Sequence, residues 1–218
     1  MWLLMVAPSL AEEATVAPGI SVSKRSYDVP LNEMPFFGFQ EKTPEQQAAD
    51  RALIASVDAN GGREAGFRRV LQLAAQALAV NDLASAAKRY NQAYLLMPGA
   101  PEVYHGFAVV AAGRFRDTPF AEELFAIALR LSPNNEAVLA DFGRLLLIEG
   151  KTERALPLLE VVVRHPKAGA MHWSNLGLAY AQTGQRAKAC EALAMARTKS
   201  PPEALQSDLN ILARAAEC

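Results

Sequence analysis

The sequence predicts an all-α protein: a right-handed α-solenoid of about four helical hairpins, with one helix ahead of the array and one capping its far end. Three observations carry that expectation. Large, small and proline positions recur together at a spacing near 34 residues, helix starts and stops alternate at matching points, and 51% of the 218 residues are apolar, enough to bury a substantial core.

The first residues set compartment before fold. Trp2 to Ala7 are almost wholly apolar, and Ser9-Leu10-Ala11 offers the small-x-small pattern of a cleavage site, followed by Glu12 and Glu13. Residues 1–11 therefore read as a signal peptide, truncated because no basic residue precedes the apolar run; an apolar stub without export is the alternative. Export predicts a periplasmic or secreted protein, and the stub a cytoplasmic one. Residues 12–42 carry Pro18, Gly19, Pro30, Pro35 and Gly38 with no helical period, and read as an extended, partly disordered arm. Within it Met34-Pro35-Phe36-Phe37-Gly38-Phe39 concentrates aromatic side chains. Either these rings pack on the first helices, or the arm is a docking peptide that occupies the groove of its own array.

From Thr43 the character changes. In residues 43–62, Thr43 can cap an orphan amide, Pro44 suits the first turn, Gln46 completes a capping box, and Asn60-Gly61-Gly62 ends the helix. The array follows at 63–203, in units of about 67–101, 102–135, 136–169 and 170–203. Trp173-x-x-Leu176-Gly177-x-x-Tyr180 aligns with Leu139-x-x-Phe142-Gly143-x-x-Leu146, 34 residues earlier. In the second halves, Ala189, Leu193 and Ala196 repeat Ala155, Leu159 and Val162, then Ala121, Phe125 and Ala128, then Ala86, Tyr90 and Ala93. Pro98, Pro133, Pro166 and Pro201 punctuate the units.

These residues resemble the tetratricopeptide repeat (TPR) family, most closely in the last unit. The second unit departs from the pattern, with His105 in the aromatic slot and Val109 where glycine usually stands. Arg89 to Tyr94 and Tyr104 to Phe107, with the capped leading helix, also resemble a looser group of bacterial envelope TPR proteins, a likeness that carries no activity. In such an array Gly177 and Ala189 let two helix axes approach to ~8–10 Å, while Trp173, Tyr180 and Leu193 bury around the crossing. Pro201-Pro202 stops the last repeat, and Leu205, Leu209, Leu212 and Ala216 make one apolar stripe on a capping helix at 203–218.

Composition narrows function. The 22 basic and 23 acidic side chains leave a net charge of −1, which excludes a charge-driven nucleic-acid partner. No apolar run approaches the ~20 residues of a transmembrane helix. Two cysteines and three histidines show no metal-ligand spacing, and no phosphate-binding loop appears, so no metal, cofactor or catalytic residue is assigned. His105, His165 and His172 read as structural or surface residues, because no nucleophile or carboxylate stands at a spacing that would complete a triad. Cys190 and Cys218 could meet if the capping helix runs back along the last repeat helix, although their distances from the Pro201-Pro202 pivot differ by five residues, ~7.5 Å at helical rise; two free thiols are the other reading.

The remaining function is binding. Residues of the first helices that avoid the packing slots are Arg68, Leu71, Ala75 and Leu78; Val103, Gly106 and Val110; Ala140, Arg144 and Leu147; and Met171, Ser174, Leu178 and Gln182. An apolar groove with sparse arginines suits a peptide whose side chains fill pockets, with Arg68, Leu71, Arg144, Leu147, Met171, Ser174, Leu178 and Gln182 as the candidate contacts. It differs from the basic clamp by which some family members hold a terminal carboxylate. The sequence thus predicts a non-enzymatic scaffold with a protein or peptide partner. The alternatives are inter-repeat packing by the same leucines and a structural subunit, a homo-oligomer formed through the same apolar face.

Overall fold

The computed structural model describes residues 12–218. The reading of residues 1–11 as a signal peptide lies outside them. The chain divides into two compact units, one ending at Leu131 and the other spanning Ser132–Cys218.

The first unit opens with a β-hairpin. Strands β1 (Glu13–Ala17) and β2 (Ile20–Ser23) pair antiparallel, with Ala14 opposite Val22 and Ala17 opposite Ile20. Pro18-Gly19 makes the turn, with Gly19 at a φ of 72°. Val16, Ala17, Ile20 and Val22 are buried. A turn of 3-10 helix at Leu31–Glu33 and another at Pro35–Phe39 complete an ordered arm. The expectation of an extended, partly disordered arm is therefore corrected. Its alternating apolar residues have a surface to cover, supplied by the helices that follow.

Helix α1 (Pro44–Ala59) begins at the capping box read from the sequence: Thr43 Oγ1 accepts the Gln46 N–H at 3.3 Å, and Gln46 Oε1 accepts the Thr43 N–H at 2.9 Å. Two helical hairpins follow, α2 (Arg63–Ala79) with α3 (Leu83–Leu96), and α4 (Pro101–Phe115) with α5 (Thr118–Leu131). The second unit repeats the plan with α6 (Glu136–Ile148) and α7 (Thr152–Val162), then α8 (Ala170–Gln182) and α9 (Arg186–Thr198). It ends with α10 (Gln206–Ala216), which packs on α8 and α9.

Small residues sit where helices cross, as the spacing predicts. A Cβ on Gly143 would lie 2.8 Å from Leu159, and one on Gly177 would lie 2.5 Å from Leu212. Leu193, Leu205, Leu209, Leu212 and Ala216 are buried together, so the capping stripe closes the core of the second unit. Trp173 and Tyr180 pack against that core but stay partly exposed rather than fully buried.

The second hairpin departs from the expected register. Tyr104, Phe107, Ala108 and Ala111 are fully buried, whereas His105, Val109 and Ala112 are only partly so. The packing slots thus lie one residue earlier than the sequence alignment places them. The left-handed turn residue explains this: Arg116 follows Ala111 by one residue more than Gly184 follows Tyr180, and α4 has 15 residues against 13 in α6 and α8.

Candidate functional site: the first-helix faces

Within each unit, the residues left open on the first helix of a hairpin form one side. In the first unit these are Arg68, Gln72 and Ala75 of α2, exposed, with Leu71 and Leu78 half-buried. Arg68 pairs with Glu64 one turn earlier on the same helix. On α4 the shifted register turns Glu102, His105 and Val109 to this side, each partly exposed. Val103, Gly106 and Val110 do not line it. They are buried against neighbouring helices, and a Cβ on Gly106 would fall 2.0 Å from the Tyr90 ring.

In the second unit the two first helices expose matching stripes at the repeat spacing. On α6 these are Ala137, Asp141, Arg144 and Ile148; on α8, Met171 and Gln182 are exposed, with Leu178 half-buried and Asn175 buried at 5% exposure between them. Steps of three and four residues place each set along one helical face. Ile148 is 69% exposed and Met171 49%, both high for large apolar side chains. Arg144 Nη1 donates to Asn175 Oδ1 at 3.3 Å, and Thr152 Oγ1 donates to Gln182 Oε1. Cross-links from α6 to α8 and from the α7 start to the α8 end therefore fix the face.

Two candidate contacts sit elsewhere, and a third is only half-open. Leu147 is buried at 7% exposure, Ser174 at 1%, and Leu178 packs against the core of the second unit. Ser174 Oγ is buried with no hydrogen-bond partner. Arg144, Met171 and Gln182 remain on the open face, joined by Ile148, while the buried Asn175 accepts the Arg144 hydrogen bond.

The arm occupies the opposite side. Phe36 lodges between α3 and α4, its ring centroid 5.2 Å from Tyr94, 6.0 Å from Tyr104 and 4.6 Å from Phe107. Tyr27 stacks on Phe115 at 3.7 Å and donates its hydroxyl to Asp117 Oδ2 at 2.9 Å. Burial first, and that carboxylate second, push its phenol well above the usual tyrosine range. Ser23 N–H reaches Glu123 Oε1 on α5 at 2.7 Å. Glu33 binds Lys88 and Arg114, and those two partners hold its carboxyl below the ordinary range. The arm thus fills the seam between the second helices α3 and α5, over α4. The suggestion that it lies in the first-helix groove is corrected, since that side of α2 and α4 carries none of these contacts.

The histidines have structural placements. His172 Nδ1 accepts the Gly169 N–H at 3.1 Å and so caps α8, His165 Nδ1 lies 2.9 Å from Glu136 Oε2, and His105 tilts against Phe125. Cys190 and Cys218 form a disulfide, their Cα atoms 5.7 Å apart. The residue mismatch is absorbed at the chain end. Glu217 turns left-handed (φ 53°) and the Cys218 N–H returns to Ala213 O at 3.0 Å, folding the last residue back over α10. Among the described residues no group of three or more His, Cys, Asp or Glu could hold a metal ion, and no helix is long and apolar enough to cross a membrane.

Solved structures share this arrangement. PilF of Pseudomonas aeruginosa superposes over 71% of this chain and 73% of its own, with a TM-score of 0.60 at 21% identity. A fragment of MamA from Desulfovibrio magneticus RS-1 covers 71% of this chain and 92% of its own, with a TM-score of 0.53 at 25% identity. A double mutant of MamA RS-1 gives 0.55 at 26% identity, over 72% and 90%. The fold is a tetratricopeptide-type helical repeat. No family model and no curated protein matches the chain. Likeness at this level carries the fold, and function has to be argued from the faces.

Proposed function

We propose that the protein is a non-enzymatic scaffold that holds a peptide segment of another protein on the first-helix face of its second unit. The observation that carries this reading is the exposure of Ile148 at the end of the α6 stripe and Met171 at the start of the α8 stripe, large apolar side chains left 69% and 49% exposed, on two helices joined by the Arg144–Asn175 hydrogen bond. An isolated exposed apolar residue is ordinary, but two on repeat-equivalent stripes, interleaved with oriented polar groups, suit apolar anchors on a partner plus hydrogen bonds to its backbone. Arg68, Leu71 and Gln72 supply the corresponding face in the first unit.

The Cys190–Cys218 disulfide supports an oxidising compartment, such as a bacterial periplasm, because cytosolic thiols are kept reduced. The apolar Trp2–Ala7 run agrees with export.

A random-peptide display selection on the full chain tests the reading. Selected peptides should lose at least about tenfold in affinity against Arg144→Ala/Met171→Glu, the loss expected when a central contact is removed. Peptides that bind the variant equally well overturn it. Light scattering over a dilution series addresses self-association: a stable oligomer abolished by Met171→Glu would favour a structural subunit instead.

A further inference from the structure

The seam that the arm fills in the first unit recurs, open, in the second. Counting forward 69 residues carries Tyr94 to Val163, Tyr104 to Trp173 and Phe107 to Leu176; beyond the extra residue of α4, a step of 68 carries Glu123 to Glu191. In the first unit the first three of these positions surround the Phe36 ring. In the second unit their equivalents line a cleft of about 380 Å³ among α7, α8 and α9.

The polar positions also correspond. Asn91 Oδ1 accepts the Phe37 N–H and Glu123 Oε1 accepts the Ser23 N–H, so the filled seam offers the arm two acceptors for its backbone. Glu160 and Glu191 stand at the equivalent positions and line the cleft, each an acceptor. Tyr180 donates to Glu160 at 2.8 Å; burial first, and this bond next, push its phenol up to about 12, so the hydroxyl stays a donor that holds the glutamate in place. What is not repeated is the arm's own set of ion pairs: Lys88 maps to Pro157, and Asp117 to Gln185. The chain's arm is besides already seated in the first unit.

We propose that the α7–α8–α9 seam binds an extended segment of another polypeptide, inserting an aromatic side chain between Val163, Trp173 and Leu176 with its backbone N–H groups toward Glu160 and Glu191. This site lies on the second-helix side and stands or falls independently of the first-helix face.

The test uses the full chain carrying Trp2→Phe, which leaves Trp173 as its single tryptophan. A synthetic peptide reproducing Met34–Gln40, the aromatic part of the arm without its charged anchors, is titrated while Trp173 emission is followed. The expected result is a saturable change with a midpoint below about 1 mM, the weak end of specific recognition. It should weaken at least tenfold when the peptide's three phenylalanines become alanine, and vanish in Val163→Lys, whose thermal midpoint is measured alongside. No saturable change, equal response to both peptides, or persistence in a folded Val163→Lys protein overturns the proposal. A Trp173 emission that depends on the concentration of the chain alone, with dimers in sedimentation, would make a second copy the occupant and also overturn it.

Discussion

Asn91 accepts the backbone N–H of Phe37 at 3.2 Å while its amide donates to the carbonyls of Asn32 and Met34 at 3.0 and 2.7 Å. The side chain is 1% exposed, and the turn it grips is unusual. Phe36, Phe37 and Phe39 all hold positive φ between 53° and 59°, with Gly38 at 61°. Each non-glycine residue in that region costs about 1–2 kcal/mol, so the turn persists only because the Phe36 pocket and the Asn91 bonds both specify it. Asn91→Ala leaves a buried N–H and two carbonyls without their partner. It should destabilise the first unit by about 2–4 kcal/mol, from three lost bonds at ~1 kcal/mol each plus exposed polar groups. Limited proteolysis should then cut within residues 24–42 well before the helices; an arm as resistant as in the parent protein would show that Asn91 does not hold it.

The arm should also respond to acid. Glu33 is depressed by Lys88 first and Arg114 second, so its folded-state proton affinity is below that of the unfolded chain. Its contribution is present in full above the unfolded glutamate value, ~4.3, and is lost as pH falls through the lower folded value. Protease sensitivity of the arm should rise below about pH 4, the range of unperturbed carboxylates, and Glu33→Gln should be sensitive already at neutral pH. A pH profile identical in the two proteins would remove Glu33 from the docking.

The contrast between array and arm shows what the sequence makes legible. Trp173, Gly177, Ala189 and Leu193 announce a helix crossing because each residue type is needed by the local geometry of one hairpin. The hairpin at Pro18-Gly19 had a signal too, with Ile20 and Val22 alternating beside the turn, but strands of four and five residues are persuasive only once a surface for them is known. The left-handed run at Phe36–Phe39 had none, since three phenylalanines take that conformation for tertiary reasons alone. At the candidate face the limit was register. One extra residue before Arg116 rotates α4 by about 100°, which exchanges Val103, Gly106 and Val110 for Glu102, His105 and Val109 on the open side. Ser174 and Leu147 fell into the groove set because burial between neighbouring helices has no signature within a single helix.

The Cys190–Cys218 bond ties the start of α9 to the end of the chain across 28 residues. Loop-closure entropy for a ring of that size is worth about 3.5 kcal/mol to the folded state, the upper end of what a disulfide usually delivers. Cys190→Ser should lower the stability of the second unit by about 2–4 kcal/mol, and reduction of the parent protein should match it. The α10 helix should lose amide protection first, because only the packing of Leu205, Leu209 and Leu212 and the bonds from Arg186 to Ala216 O and Glu217 would then hold it. Thiol labelling of the denatured, unreduced protein should find no free thiol; two labelled cysteines would remove the bond and the compartment argument with it.

Ser174 separates a packing role from a binding one. Its hydroxyl lies in a 1% exposed position with no partner, so the folded state bears the desolvation of a polar group without the compensating bond. Ser174→Ala removes the hydroxyl and leaves a methyl of nearly the same volume. Stability should stay level or rise, by up to about 1 kcal/mol, since replacing an unsatisfied group relieves a cost typically of 1–3 kcal/mol offset by small repacking losses. Peptides selected on the first-helix face should bind Ser174→Ala and the parent alike, whereas Arg144→Ala should weaken them. If instead Ser174→Ala weakens binding at unchanged thermal midpoint, the hydroxyl reaches the ligand, and α8 must turn on binding to bring it out.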